Sequence, residues 1–304
     1  MSIFQAIILG IVQGLTEFIP VSSTAHLIFA SRAIHLYENQ ALSEVMRANM
    51  TTATIAVIQL GTLLAVLIYF AGDILRIISA FVRDHLALLK GKQSLASLGE
   101  ANRSGRPSRL SQEAWLGWLI IIGSIPVGVV GLLFKKQIEG TFTKNLWVIA
   151  TMMIVIALFL LVAEAVGKRQ RKMEDLGIRD ALAVGGAQVL ALIPGSSRSG
   201  STIMGGLFAG ETRETAARFS FLLSIPAIAA SGLLELKEAI KYLPHESYVP
   251  LAVSTIVSGF VGYLSIWFLL RYLRTHSTGI FIGYRLIVGI GLLVLLFIGR
   301  ISAT

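Results

Sequence analysis

Apolar residues run in long blocks along the chain. Crossing ~30 Å of hydrocarbon takes about 20 such residues, and six runs stand out: Thr51–Phe70, Ala114–Phe134, Leu146–Val166, Phe219–Leu236, Val249–Leu270 and Leu286–Ile298. The last is short and is expected to extend to either side. Two further apolar stretches are interrupted in the middle. Ile3–Ala30 is broken by Ile19-Pro20-Val21-Ser22-Ser23, and Ala181–Ala209 by Ile193-Pro194-Gly195-Ser196-Ser197. Each half is about ten residues, too short to cross. Each stretch is therefore expected to enter and leave on one side, with its non-helical tip buried in protein or lining a polar cavity.

Composition agrees with this pattern. Of 304 residues, 55% are hydrophobic and 14% charged, against about a quarter charged in a soluble domain. The expectation is one integral membrane domain over 1–304, all-α and polytopic, with about six transmembrane helices plus two re-entrant helical hairpins. No cysteine is present, which excludes disulfides, thiolate metal sites and cysteine nucleophiles. No Lys or Arg precedes Arg32, so a removable signal peptide is not expected.

The net charge of +9 fits loops beside an anionic leaflet better than nucleic acid. Seven Lys/Arg lie between Arg76 and Arg109 and five between Lys168 and Arg179. Placing both groups inside puts seventeen basic residues inside, Arg213, Arg218, Arg271, Arg274 and Arg285 among them, and eight outside. By the positive-inside rule the first hairpin then opens outward and the second inward, with both termini outside. A basic cytoplasmic loop is expected over about 76–113, flexible across Lys90–Ser111. Glu164 is read as an exposed i,i+4 partner of Lys168, and His35, His85, His245 and His276 as solvated.

The interruption I-P-x-S-S recurs at an offset of 174, and Ser124-Ile125-Pro126 has an echo in Ser224-Ile225-Pro226. Two hairpins of opposite direction carrying one motif predict an interdigitated inverted-topology repeat, with pseudo-repeats about 1–145 and 175–300 and a site where the broken helices meet.

Chemistry concentrates at the two tips. Gln13 and Glu17 are four apart and share a helix face. Pro20 ends that helix, and Ser22, Ser23 and Thr24 open the next, a turn from His26. Capping serines and a hydrogen-bonded glutamate would account for each residue alone. At membrane depth, however, an ionisable group is costly and marks function. In the second tip, Gly195 permits close backbone approach. Ser196, Ser197, Ser199 and the opening helix N–H groups offer donors to an anion, and Arg198 offers a guanidinium fork suited to phosphate. This is not a Walker A loop, because no Gly-Lys-Ser/Thr follows.

The two motifs, Gln13 to His26 and Pro194 to Gly200, resemble those of the undecaprenyl-pyrophosphate phosphatase family of bacterial inner membranes, linked to bacitracin resistance. Gln rather than Glu at position 13 is a family variant, and the basic loop is longer. The resemblance implies hydrolysis of undecaprenyl diphosphate to the monophosphate and inorganic phosphate on the periplasmic side of the inner membrane, recycling the cell-wall lipid carrier. It implies Glu17, Ser23, His26 and Arg198 as catalytic residues, with Gln13, Ser22, Thr24, Gly195, Ser196, Ser197 and Ser199 binding substrate. Ser23, His26 or a water is the nucleophile. Glu17 and Gln13 would hold a divalent cation, Mg²⁺ or Ca²⁺. Expected partners are the polyprenyl diphosphate lipid, membrane lipids and, in a homodimer, a second copy of the chain; no nucleic acid is expected. A transporter or flippase of a lipid phosphate or small anion is the alternative, since such proteins build midplane sites from broken helices.

Overall fold

A computed structural model describes residues 1–37, 43–90, 110–134, 145–242 and 247–303. Within them the chain forms α1 (Ile3–Phe18), α2 (Ser23–Ala33), α3 (Glu44–Tyr69), α4 (Ala71–Leu89), α5 (Gln112–Leu133) and α6 (Leu146–Val166). It continues as α7 (Ile178–Val189), α8 (Arg198–Phe208), α9 (Arg213–Tyr242), α10 (Tyr248–Leu273) and α11 (Gly279–Phe297). No named strand occurs among the described residues. Among the described residues six helices are long and apolar enough to cross a membrane: α3, α5, α6, α9, α10 and α11. The last begins at Gly279, seven residues before the expected run, and so reaches full length.

Both interrupted stretches fold as helical hairpins. At the base of the first, Gln5 Nε2 donates to the Ile34 carbonyl at 2.8 Å, tying the start of α1 to the end of α2. At the base of the second, Arg171 pairs with Asp180 in the first turn of α7. Its backbone also bridges to Glu211, just past α8. The hairpins dock on distant partners. α1 lies along α10, and α7 along α5, while α3 packs on α9. Small residues set these approaches: a Cβ on Gly10 or Gly14 of α1 would come within 2.6–2.8 Å of the Ser254 or Ser258 carbonyl. A Gly-x-x-x-Gly stripe against small residues is how helices gain contact where lipid offers no hydrophobic drive. The two Ser-Ile-Pro triplets fall on helices of different rank. One lies on α9, the first helix after its hairpin, and the other on α5, the third after its own.

Two expectations need correction. The segment about 76–113 is not a loop throughout, since residues up to Leu89 belong to α4 and α5 begins at Gln112. Ile77, Ala80, Phe81, Asp84 and His85 recur at helical spacing and face α5: Phe81 abuts Gly117, and Trp118 donates to His85 at 3.1 Å. Asp84 accepts from the amide and hydroxyl of Ser111, the α5 N-cap, at 2.8 and 2.6 Å. Burial pushes the Asp84 carboxyl up, but these bonds and Arg83 outweigh it and leave it below its ordinary value. His85, stacked on Phe81, is thus not solvated; residues 91–109 and His245 lie outside the described residues. Second, Glu164 does not pair with Lys168. It takes Arg169 and Arg213 and the Thr278 hydroxyl at 2.8 Å, joining the ends of α6, α9 and α11.

Candidate active site

Proline dictates each break. The residue before a proline is pushed out of the helical region, and Ile19 is accordingly extended at ψ 134°. The chain then turns through Ser22, which sits in the left-handed region at φ +79°, and α2 starts at Ser23. The second tip repeats the device through Pro194 and Ser197, at φ +69°. An extra residue precedes this turn: Gly195, at φ +90°, where a Cβ would lie 2.3 Å from the Ile149 carbonyl oxygen. Conformation and space both require glycine there. The left-handed serines are therefore 175 apart, one more than the motif match. Ser23 and Arg198 consequently occupy the same position, the first residue of the second half-helix.

Both reach Glu17. Ser23 Oγ donates to Glu17 Oε2 at 2.8 Å, and Arg198 Nη2 donates to Oε1 at 2.7 Å. Gln13, one turn before Glu17 on α1, donates its Nε2 to Oε2 at 3.1 Å and to Thr62 at 3.4 Å. The hairpins are also stitched by Ser199, whose hydroxyl donates to the Ile19 carbonyl at 3.4 Å and exchanges with Ser197 Oγ at 3.2 Å. Ser197 Oγ caps α8 by accepting the Gly200 N–H at 3.2 Å; Ser22 makes no such side-chain bond. Thr24 is exposed and outside this network. Arg198 Nη1, the hydroxyls of Ser196 and Ser201 and Gln13 Oε1 are buried without a partner among the described residues. Buried polar groups are normally satisfied, so this cluster of donors and one amide oxygen fits a polar ligand.

His26 belongs to a second layer. Its Nδ1 lies 2.7 Å from the Ser22 carbonyl and its Nε2 2.6 Å from the Tyr284 hydroxyl. Tyr284 and its neighbour Arg285 are the functional candidates that sequence reading missed. Arg285 is not in a cytoplasmic loop, where its charge was counted. It lies within α11, fully buried, and its guanidinium donates to carbonyls of both tips. These are Pro20 at 3.3 Å and Gly195 and Ser196 at 3.0 Å each, besides Met152 and Met153 of α6. The signal was present: an arginine amid apolar residues is as costly as Glu17.

The opposite end of the bundle holds a cavity of about 830 Å³ lined by Arg76, Lys168, Lys172, Arg213, Arg218 and Arg274 with interspersed acids. Nearby, Glu211 is fully buried, and neither carboxylate oxygen has a partner among the described residues. Burial, reinforced by Asp180 and opposed by Arg171, pushes its carboxyl up to about 8.

Over residues 6–291 the chain matches the family described as bacitracin resistance protein BacA. It is 46% identical to a protein named undecaprenyl-diphosphatase from Syntrophobacter fumaroxidans, across 98% of each chain. Proteins of the same name from Chloroherpeton thalassium, at 46% identity, and Mycolicibacterium vanbaalenii, at 45%, match over the full length of both chains.

Proposed function

We infer that the chain, which belongs to the bacitracin resistance protein BacA family, is a multi-pass membrane undecaprenyl-diphosphatase. It removes the terminal phosphate of undecaprenyl diphosphate and leaves undecaprenyl phosphate. The observation that carries this reading is the meeting of Ser23 and Arg198, from opposite hairpins, on the two oxygens of Glu17.

In the mechanism we propose, the terminal phosphate lies against Arg198 Nη1 and the donors of the second tip, Ser196, Ser197 and Ser199, with Gly195 giving room. These groups neutralise charge developing on the phosphoryl oxygens. Ser23 Oγ attacks phosphorus while its proton passes to Glu17, and the anhydride P–O bond breaks with its electron pair leaving on undecaprenyl phosphate. Once Glu17 has shed that proton, it takes another from an attacking water and returns it to the departing Ser23 oxygen. Inorganic phosphate is then free. Glu17 and the unpartnered Gln13 Oε1 fit two positions of a hard-oxygen shell for Mg²⁺ or Ca²⁺, the diphosphate supplying others. Such an ion would screen the diphosphate charge.

The hairpins are proposed to be re-entrant halves of an inverted repeat. Support comes from their like tips and from the crossed docking of α1 on α10 and α7 on α5. With the basic cavity on the cytoplasmic side, the first hairpin opens to the periplasm and the site faces that way across the inner membrane.

Purified protein in detergent, given undecaprenyl diphosphate, is expected to release phosphate, less so with chelator, and Glu17→Ala to release almost none. Absence of release by the folded wild type would overturn the reading, since a transporter of lipid phosphate releases none.

A further inference from the structure

The chemistry above leaves the imidazole of His26 without a role, and the geometry around its ring decides what it does. Nδ1 sits 2.7 Å from a backbone carbonyl oxygen, that of Ser22. A carbonyl oxygen only accepts, so Nδ1 carries a hydrogen. The neutral ring then has its lone pair on Nε2, and at 2.6 Å from that nitrogen stands the Tyr284 hydroxyl. The phenol is therefore the donor. Its ring lies nearly parallel to the imidazole, 17° between planes and 5.6 Å between centroids, so the contact fixes orientation as well as tautomer. The flanking Arg285 is bonded to five carbonyls and holds that turn of α11 against both tips.

We propose that Tyr284 is a positioning residue that occupies the Nε2 lone pair of His26, fixing the Nδ1–H tautomer and barring the imidazole from acting as the phosphoryl acceptor. Attack on phosphorus needs an unengaged lone pair, and neutral His26 has none while both contacts stand. Protonated His26 has none at all. What the pair offers substrate is the oxygen of a phenol already donating inward, on a residue 41% exposed. Of Ser23, His26 and a water, the imidazole is thereby removed as nucleophile, so the inference deepens the phosphatase reading and rests on it.

The test combines kinetics with nitrogen chemical shifts. Uniformly ¹⁵N-histidine-labelled wild type, compared with His26→Gln to assign the signal, is expected to show His26 as the Nδ1–H tautomer with a hydrogen-bonded Nε2. In Tyr284→Phe, which keeps the stacked ring and loses one hydroxyl, the Nε2 shift moves toward a free lone pair. At the same time kcat on undecaprenyl diphosphate falls about tenfold while KM changes less than twofold. Any phosphoryl adduct trapped from wild type is expected to be alkali-labile, as a serine ester is, and not the alkali-stable, acid-labile adduct of histidine. An Nε2–H tautomer in wild type, an unmoved shift or unchanged kcat in Tyr284→Phe, or a histidine adduct would overturn the proposal. The tautomer signal needs no turnover, so failure of the phosphatase reading would show separately, as absent phosphate release with the signal intact.

Discussion

The two hairpin tips share a backbone plan and divide the chemistry. Each is opened by Ile-Pro, each turns through a serine in the left-handed region, and each starts a helix with a residue that touches Glu17. In the first tip that residue is a hydroxyl, in the second a guanidinium. The first tip also keeps its acid close by, on α1, while the second surrounds its cation with donors. One backbone device, used twice, thus delivers a hydroxyl and a guanidinium from opposite directions to a single carboxylate. The comparison teaches that the duplicated feature is the turn and the asymmetric feature is the first residue after it.

Exchanging those first residues tests the division most severely. Arg198→Ala is expected to lower kcat by about 10²–10³, the scale of losing a preorganised charge stabiliser, and Ser23→Ala at least as much; phosphate release from folded, purified variants measures both. Arg198→Lys keeps the charge without the fork and should recover only part of the loss. Near-normal turnover by Ser23→Ala would show that Ser23 is not the nucleophile.

Breaking the tie between the tips comes next. Arg285→Met takes the donor from five carbonyls, and leaving a buried acceptor unsatisfied costs about 1–3 kcal/mol. A lower Tm in detergent should accompany lost activity, because Pro20 and Ser196 then drift independently. Thermal unfolding reads this directly.

The hairpin bases differ too, and pH separates them. Glu211 has its folded pKa raised to about 8 from the ordinary 4.5, so below about 4.5 its burial costs nothing extra. Between there and about 8 the unfolded chain releases this proton and the folded one holds it, so stability falls as pH rises. Glu211→Gln removes that slope, and its Tm should exceed that of wild type at pH 9 by a gap that closes toward pH 4.5. The base of the first hairpin, tied by Gln5, contributes no such dependence.

The smallest expected effect compares the turning serines. Both bear left-handed strain, but only Ser197 has a capping hydroxyl. Ser22→Gly should gain up to about 1 kcal/mol of stability, whereas Ser197→Gly should come out near neutral, the relieved strain offset by the lost cap. Equal shifts in Tm would contradict the asymmetry.

The sequence announces the breaks because Pro20 and Pro194 interrupt otherwise helical apolar runs, and it announces Glu17, His26 and Arg198 because charge stands out against hydrocarbon. It conceals α4, whose inward stripe from Ile77 to His85 contains Asp84 and His85 and sits among the basic residues Arg76, Arg83 and Lys90. It also conceals Tyr284 and Arg285, for a different reason. Nothing local marks which residues 258 and 265 positions away they will meet, and a charge assigned to a loop tally is no longer read as a buried exception. Glu164 is concealed likewise, since its partners Arg169, Arg213 and Thr278 all lie outside its own helix.

Arg285 also sets an order of assembly. Its bond to Pro20 spans 265 residues, while those to Gly195 and Ser196 span about 90. On a ribosome adding about 5–20 residues per second, the first tip waits roughly 15–50 s for the side chain that satisfies it. During that interval the Pro20 carbonyl lacks this donor, and only α11, the last of the described helices, supplies it. The enzyme is thus assembled before it is armed, and truncation anywhere ahead of α11 should yield an inserted but inert protein.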